Sequence, residues 1–139
     1  MKDILIKNLE ARFAAYNDII AGCSDENLQL KLEVPKNKSP AEHLWCVVGA
    51  RESYAGAIEA NEWKGFSCSL QQFMQADFSG KLRESATVVS SAIGTVGEWT
   101  DTRNELLLAL YEHEVMHEGQ LIRHMYGLGY DIPESVKWS

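Results

Sequence analysis

Two histidines one helical turn apart have the clearest chemical potential in this sequence. His113 and His117 are four positions apart, so on a helix both side chains project from the same face. At about 100° per residue, the same face also contains four leucines: Leu106, Leu110, Leu121 and Leu128. Both imidazoles are therefore predicted to point into the protein interior.

His43 is the one histidine outside that C-terminal segment, and it also lies on an apolar stripe. The stripe continues through Val47, Ala50, Tyr54 and Ile58. A polar group buried without a partner costs roughly 1–3 kcal/mol, whereas a divalent cation satisfies several imidazoles at once. Neutral imidazole suits zinc, nickel, iron and copper, and three protein nitrogens leave coordination positions open, as in reactive sites. The three histidines are therefore candidate metal ligands.

Each of these histidines also has an ordinary structural interpretation, as a core residue that hydrogen-bonds a backbone carbonyl. Spacing within one helix does not establish that His43 meets the other two. His124 lies seven residues beyond His117, about 10 Å along a helix axis, which is too far to share one ion. It is predicted to be a hydrogen-bonded residue near the helix end or at a subunit interface.

Four further residues are candidates for contacting a metal ligand or lining a pocket. Glu114 forms a Glu-x-x-His pair with His117, but no second such pair is present, which disfavours a dinuclear site. Gln120 has the chemistry to hydrogen-bond a ligand or a metal-bound water. Cys46 and Tyr54 share the histidine side of the second helix, and both also suit a plain core role.

Four helices are predicted to position these residues. The first runs from Lys2 to Ala21, and the second begins with the capping box of Ser39 to Glu42 and reaches about Ala60. The third is expected to start at Ser69–Gln72, with Gly80 as a point of bending or breaking. The last begins with a capping box at Thr102–Glu105 and reaches about Tyr126. The apolar stripes of these four helices can be buried together only in a bundle. The sequence therefore predicts an all-α four-helix bundle, a single domain over residues 1–139.

Composition excludes several function classes. A formal net charge of −7 and the lack of a basic cluster argue against nucleic-acid binding and against an anionic membrane surface. No stretch has the roughly 20 apolar residues of a membrane span, and charges interrupt the N-terminus too early for a signal peptide. Three cysteines without a Cys-x-x-Cys spacing favour free thiols in a reducing compartment, so the cytoplasm is expected.

The order of these motifs resembles the DinB-like metal-binding four-helix bundles. The resemblance consists of His43 early in the second helix, the segment from His113 to Gln120 in the last, then Gly129 to Pro133 and Trp138. It implies one divalent metal held by His43, His113 and His117, a homodimer, and a place among thiol-dependent transferases or isomerases. Zinc or nickel is the first expectation for the metal, with iron or manganese as alternatives.

The leading functional hypothesis is a metal-dependent S-transferase that joins a small thiol to a small electrophile. A divalent ion with three neutral ligands keeps its full charge and favours thiolate over thiol. One alternative is a non-catalytic metal-binding protein, such as a stress-response or scaffold protein. Another is a structural helical protein whose histidines bind no metal.

Overall fold

The computed structural model describes residues 1–136, and all of its regular secondary structure over that range is helical. Trp138 lies outside the described residues. The elements in chain order are α1 (Lys2–Ala21), α2 (Asp25–Gln29), α3 (Pro40–Ala60), α4 (Gln75–Thr95), α5 (Asp101–Leu128) and a 3-10 helix (Glu134–Val136). The prediction of an all-helical fold is confirmed.

The four long helices pack in pairs: α3 contacts both α4 and α5, and α1 contacts the same two helices. α3 and α5 run antiparallel, since His43 lies beside His117 and, further along, the Ile58 carbonyl accepts a hydrogen bond from Arg103. Two apolar clusters fill the space between the helices, one built around Tyr16 and the other around Ile58. This packing brings the early part of α3 against the later part of α5.

The predicted starts of the first two long helices are confirmed. At the start of α3, the Ser39 hydroxyl accepts a hydrogen bond from the Glu42 amide, and the Glu42 carboxylate accepts one from the Ser39 amide. This reciprocal capping is local chemistry that a sequence motif specifies directly. Pro40 also favours a helix start at this position. Proline lacks an amide proton, and an amide at the first helical position would have no intrahelical acceptor.

The predicted start of the third long helix at Ser69 is wrong. The helix begins at Gln75, and the Asp77 side chain accepts a hydrogen bond from the Met74 amide. The Ser69 amide instead donates to the Glu52 carboxylate of α3, which holds the preceding segment against that helix. α4 also continues through Gly80 without a break. A single glycine in a helix interior costs about 1 kcal/mol relative to alanine, which the rest of this long helix tolerates.

The predicted capping box of the last helix is also displaced. α5 begins at Asp101, and the Thr100 hydroxyl, not that of Thr102, accepts a hydrogen bond from the Arg103 amide. Arg103 is held in place by further hydrogen bonds to the carbonyls of Ile58 and Glu98. The helix ends at Leu128, where Gly129 adopts a φ of 74°, a conformation that glycine takes without strain.

Candidate metal centre

Two of the three candidate ligands meet across the interface of α3 and α5. The Nδ1 atoms of His43 and His117 are 3.0 Å apart, and both rings are almost fully buried. The His113 ring lies one turn away, with its centroid 4.4 Å from that of His117. Tertiary packing thus brings His43 to the histidine pair of α5, a meeting that spacing alone did not establish.

The nitrogen atoms of this histidine cluster, defined as His43, His113 and His117, have the chemistry of a donor set. A hydrogen bond between the two facing Nδ1 atoms uses a single proton, so one of them acts as an acceptor. Two nitrogens bound to one tetrahedral ion at about 2.0–2.1 Å would lie roughly 3.3 Å apart, close to the observed separation. The Nδ1 atom of His113 is buried and has no hydrogen-bond partner.

The cluster is nevertheless not a preformed coordination sphere. Within residues 1–136, no group of three or more His, Cys, Asp or Glu side chains is arranged so that it could hold a metal ion. The Nδ1 atoms of His43 and His117 are instead within hydrogen-bond distance of each other. The residues therefore fit a metal by their chemistry and burial, and the ring orientations would have to change to complete the site.

Burial keeps all three imidazoles neutral near pH 7. Desolvation lowers the pKa of His43 to about 4, and the nearby positive charge of Lys38 adds to the effect. Desolvation also lowers the pKa of His117 to about 3, with further contributions from His113 and His43. The pKa of His113 is lowered by burial and by Lys38. Neutral imidazole is the form that binds metals.

Glu114 forms a buried ion pair with Arg51, which the sequence pattern did not predict. Arg51 Nε and Nη2 donate to the two carboxylate oxygens of Glu114 at 2.7 and 2.9 Å, and neither side chain is exposed to solvent. Arg51 Nη1 also donates to the Leu82 carbonyl of α4, and its guanidinium lies over the Phe13 ring. The Tyr16 hydroxyl donates to the Glu114 carbonyl, so this polar group joins all four long helices.

A second acidic residue of α5 is also buried. Helical periodicity places Glu118 away from the stripe of His113 and His117, but this residue is 2% exposed and pairs with Arg12 Nη1 at 2.6 Å. Its other carboxylate oxygen is buried without a hydrogen-bond partner. Burial raises the pKa of Glu118, and Arg12 opposes the shift.

The sequence does contain a signal for the burial of Arg51. This residue continues the stripe of His43 and Val47 at four-residue spacing.

The structure separates the other predicted pocket residues. Gln120 is exposed and lines a cleft that also includes His43. Cys46 faces a neighbouring cleft, with its sulfur 3.7 Å from Lys38 Nζ. Tyr54 packs against Trp63 and lies in neither cleft. His124 is buried, and its Nε2 atom has no hydrogen-bond partner.

Comparison with solved structures places this arrangement of helices in a known fold. A DinB-like protein from Bacillus cereus ATCC 10987 superimposes with a TM-score of 0.71, and the match covers 93% of each chain. This chain has the DinB-like fold. The sequence identity is 16%, so the likeness concerns the fold alone. No family model matches the chain, and no curated protein matches it.

Three cysteines of the chain are free and partly buried: Cys23, Cys46 and Cys68. Burial raises the pKa of the Cys23 and Cys68 thiols. Thiols with a raised pKa are poor nucleophiles at neutral pH.

Across residues 1–136, none of the helices combines the length and apolar character needed to cross a lipid bilayer.

Proposed function

We propose that this protein is a four-helix bundle that binds one divalent transition metal through His43, His113 and His117. The observation that carries the proposal is the convergence of three neutral imidazoles from two helices. His43 and His117 are buried, and the partly buried His113 has a buried nitrogen without a hydrogen-bond partner. Zinc or nickel is the expected ion, with iron or manganese as alternatives, because imidazole ligands suit several divalent metals. Metal binding would require the rings to reorient, because the three side chains do not yet form a metal-binding arrangement.

The activity that fits such a site best is S-transfer from a small thiol to a small electrophile. A divalent ion, when bound, favours the thiolate form of a thiol that coordinates it. The thiol would lose its proton to solvent water, its sulfur would form a bond to the electrophilic carbon, and the leaving group would depart with the electrons of the broken bond. The chain contributes neutral imidazole ligands, and one cleft is lined by both His43 and the exposed Gln120.

The Arg51–Glu114 ion pair would hold the ligand-bearing helices in register. Glu114 precedes His117 by three residues, so its side chain lies one turn away on α5. The ion pair ties this turn to α3, the helix that carries His43. Its proposed role is positioning, since both carboxylate oxygens already accept hydrogen bonds from Arg51.

Metal content of the purified and reconstituted protein tests the proposal. We expect about one ion per folded chain, and loss of that ion when His43, His113 or His117 is replaced by Ala. His124→Gln is the matched control, because this buried histidine of the same helix lies outside the cluster. Circular dichroism would verify that each variant is folded. Equal metal content in the control and the three ligand variants would refute the proposed site.

A non-catalytic metal-binding role is the second candidate, and the burial of the cluster favours it. His43 and His117 are 6% and 4% exposed, which restricts access of a substrate to an ion between them. The two functions differ in whether a thiol reaches the metal. Cobalt-substituted protein should develop sulfur-to-metal absorption on addition of a thiol if the S-transfer proposal holds, and an unchanged spectrum would favour the non-catalytic role.

The proposed partners are a small thiol, a small electrophile and a second copy of this chain. Several exposed apolar side chains on α5 support self-association into a homodimer: Leu108, Val115, Met116 and Tyr126. The cytoplasm is the proposed location, since the three free thiols suit a reducing compartment.

A further inference from the structure

We propose that the small molecule handled at the histidine cluster is an organic acid, bound through its carboxylate groups by Lys36 and Lys38. This inference rests on the proposed function, because it names the substrate class of the same site. It is carried by two adjoining clefts, their charge and their apolar walls. None of these features depends on which metal the cluster binds.

Two clefts adjoin at the loop of residues 31–38. The larger has a volume of about 840 Å³ and is lined in part by Lys31. The smaller, of about 520 Å³, reaches His43. Both include Lys36 and Lys38, so these two lysines stand where the clefts meet. Volumes of this order accommodate a small organic molecule.

The lining of these clefts is positively charged in a protein that is acidic as a whole. Four cations line them: Lys31, Lys36, Lys38 and Arg123. Among the described residues of the lining, Glu42 is the one acid, and it pairs with Lys31 at 3.4 Å. The formal net charge of the whole chain is −7. Such local concentration of positive charge attracts anions and repels cations.

The loop that presents the two lysines is fixed by its own hydrogen bonds. Asn37 Oδ1 accepts from the Leu32 amide, while Asn37 Nδ2 donates to the carbonyls of Leu32 and Val34. Lys36 has a φ of 57°, the left-handed conformation that non-glycine residues seldom adopt. A loop held in this way positions Lys36 and Lys38 with little further ordering on ligand binding.

A shared cleft connects the lysines with the histidine cluster. Lys36, Lys38 and His43 all line the smaller cleft. An anionic group bound to Lys38 would therefore lie close enough for the rest of a small molecule to reach the cluster.

Apolar side chains in the clefts favour an organic anion over an inorganic one. Trp45 and Phe73 line the larger cleft, and Met116 lines the smaller. Such side chains bury hydrocarbon and contribute nothing to a small hydrated ion such as phosphate. The combination of lysines with apolar walls matches a molecule with carboxylate groups on a carbon skeleton.

Amide NMR titrations of metal-free and zinc-loaded protein test this inference with three probes: mercaptosuccinate, uncharged thioglycerol and inorganic phosphate. Mercaptosuccinate should bind saturably and shift the amides of loop 31–38 and Gln120. The double variant K36Q/K38Q should bind it about fivefold to tenfold more weakly at low salt, as expected for loss of two exposed charge contacts. The control K7Q/K64Q removes the same charge outside both clefts and should bind like the parent.

The outcomes separate this inference from the proposed function. Equal binding of thioglycerol and mercaptosuccinate, equal affinities of the two double variants, or phosphate binding as tight as that of mercaptosuccinate would each overturn the organic-acid assignment. Zinc uptake could still succeed in all of these cases. Conversely, a protein that takes up no zinc but binds mercaptosuccinate at loop 31–38 would retain the organic-acid site and refute the metal proposal.

Discussion

Removing one partner of the Arg51–Glu114 ion pair should destabilise the protein far more than removing both. The side chains are 0% exposed and share two hydrogen bonds of 2.7 and 2.9 Å. Breaking such a buried pair costs about 3–5 kcal/mol, because the remaining charge is left without a partner in a low-dielectric interior. We expect a loss of this size in the free energy of unfolding for Arg51→Met and for Glu114→Met.

The double variant R51M/E114M should recover much of that loss. Replacing a buried ion pair by apolar side chains of similar volume is often neutral, although the hydrogen bond from Arg51 to the Leu82 carbonyl is also lost here. We expect a net cost of about 1–2 kcal/mol, from that bond and from the altered packing. The measured coupling energy should therefore be several kcal/mol and opposite in sign to the single losses.

Urea unfolding followed by circular dichroism would measure all three variants and their coupling. The surface pair Lys81 and Glu84, 3.4 Å apart and partly exposed, is the matched control. Its removal should change the free energy of unfolding by less than about 1 kcal/mol, because exposed pairs are weak. Additive losses in the double variant R51M/E114M would refute the reasoning, since they would mean that neither charge depends on the other.

Two further predictions follow from the helix packing and from the buried rings. Gly49→Ala should destabilise the protein by about 1–3 kcal/mol, because a Cβ there would collide with the Phe66 ring. Gly56→Ala should stabilise α3 by about 0.5–1 kcal/mol, because no atom lies within 4 Å of the added Cβ. Thermal melts that rank the two variants alike would contradict this. In metal-free protein, the pKa of His43 (about 4) and that of His117 (about 3) lie below the unfolded value of 6.5. Protonation therefore favours unfolding, so the free energy of unfolding measured by urea titration should fall between pH 7 and pH 5, by up to about 1.4 kcal/mol per pH unit for each ring. A flat profile would show that the rings are not buried.

Some features of this protein are fixed by local sequence. The capping box of Ser39 and Glu42 set the start of α3, and the periodicity of α5 predicted that His117 faces inward. Both results depend on residues within one or two helical turns of each other, whose geometry is nearly the same in any helix. The all-helical fold follows from the same local patterns.

Other features were decided only by contacts between distant parts of the chain. Ser69 has the type of a helix cap, but its amide is bound by Glu52 of α3, so the next long helix begins at Gln75. Arg51 and Glu114 look like surface residues by type, and only their mutual contact makes burial of both charges tolerable.

The histidine cluster combines both kinds of information. The sequence alone determined that His113 and His117 share one face of a helix and that His43 lies on an apolar stripe. Tertiary packing brought the Nδ1 atoms of His43 and His117 to 3.0 Å. The periodicity of one helix fixes directions about its own axis, whereas the distance between two helices depends on how all of their side chains pack together.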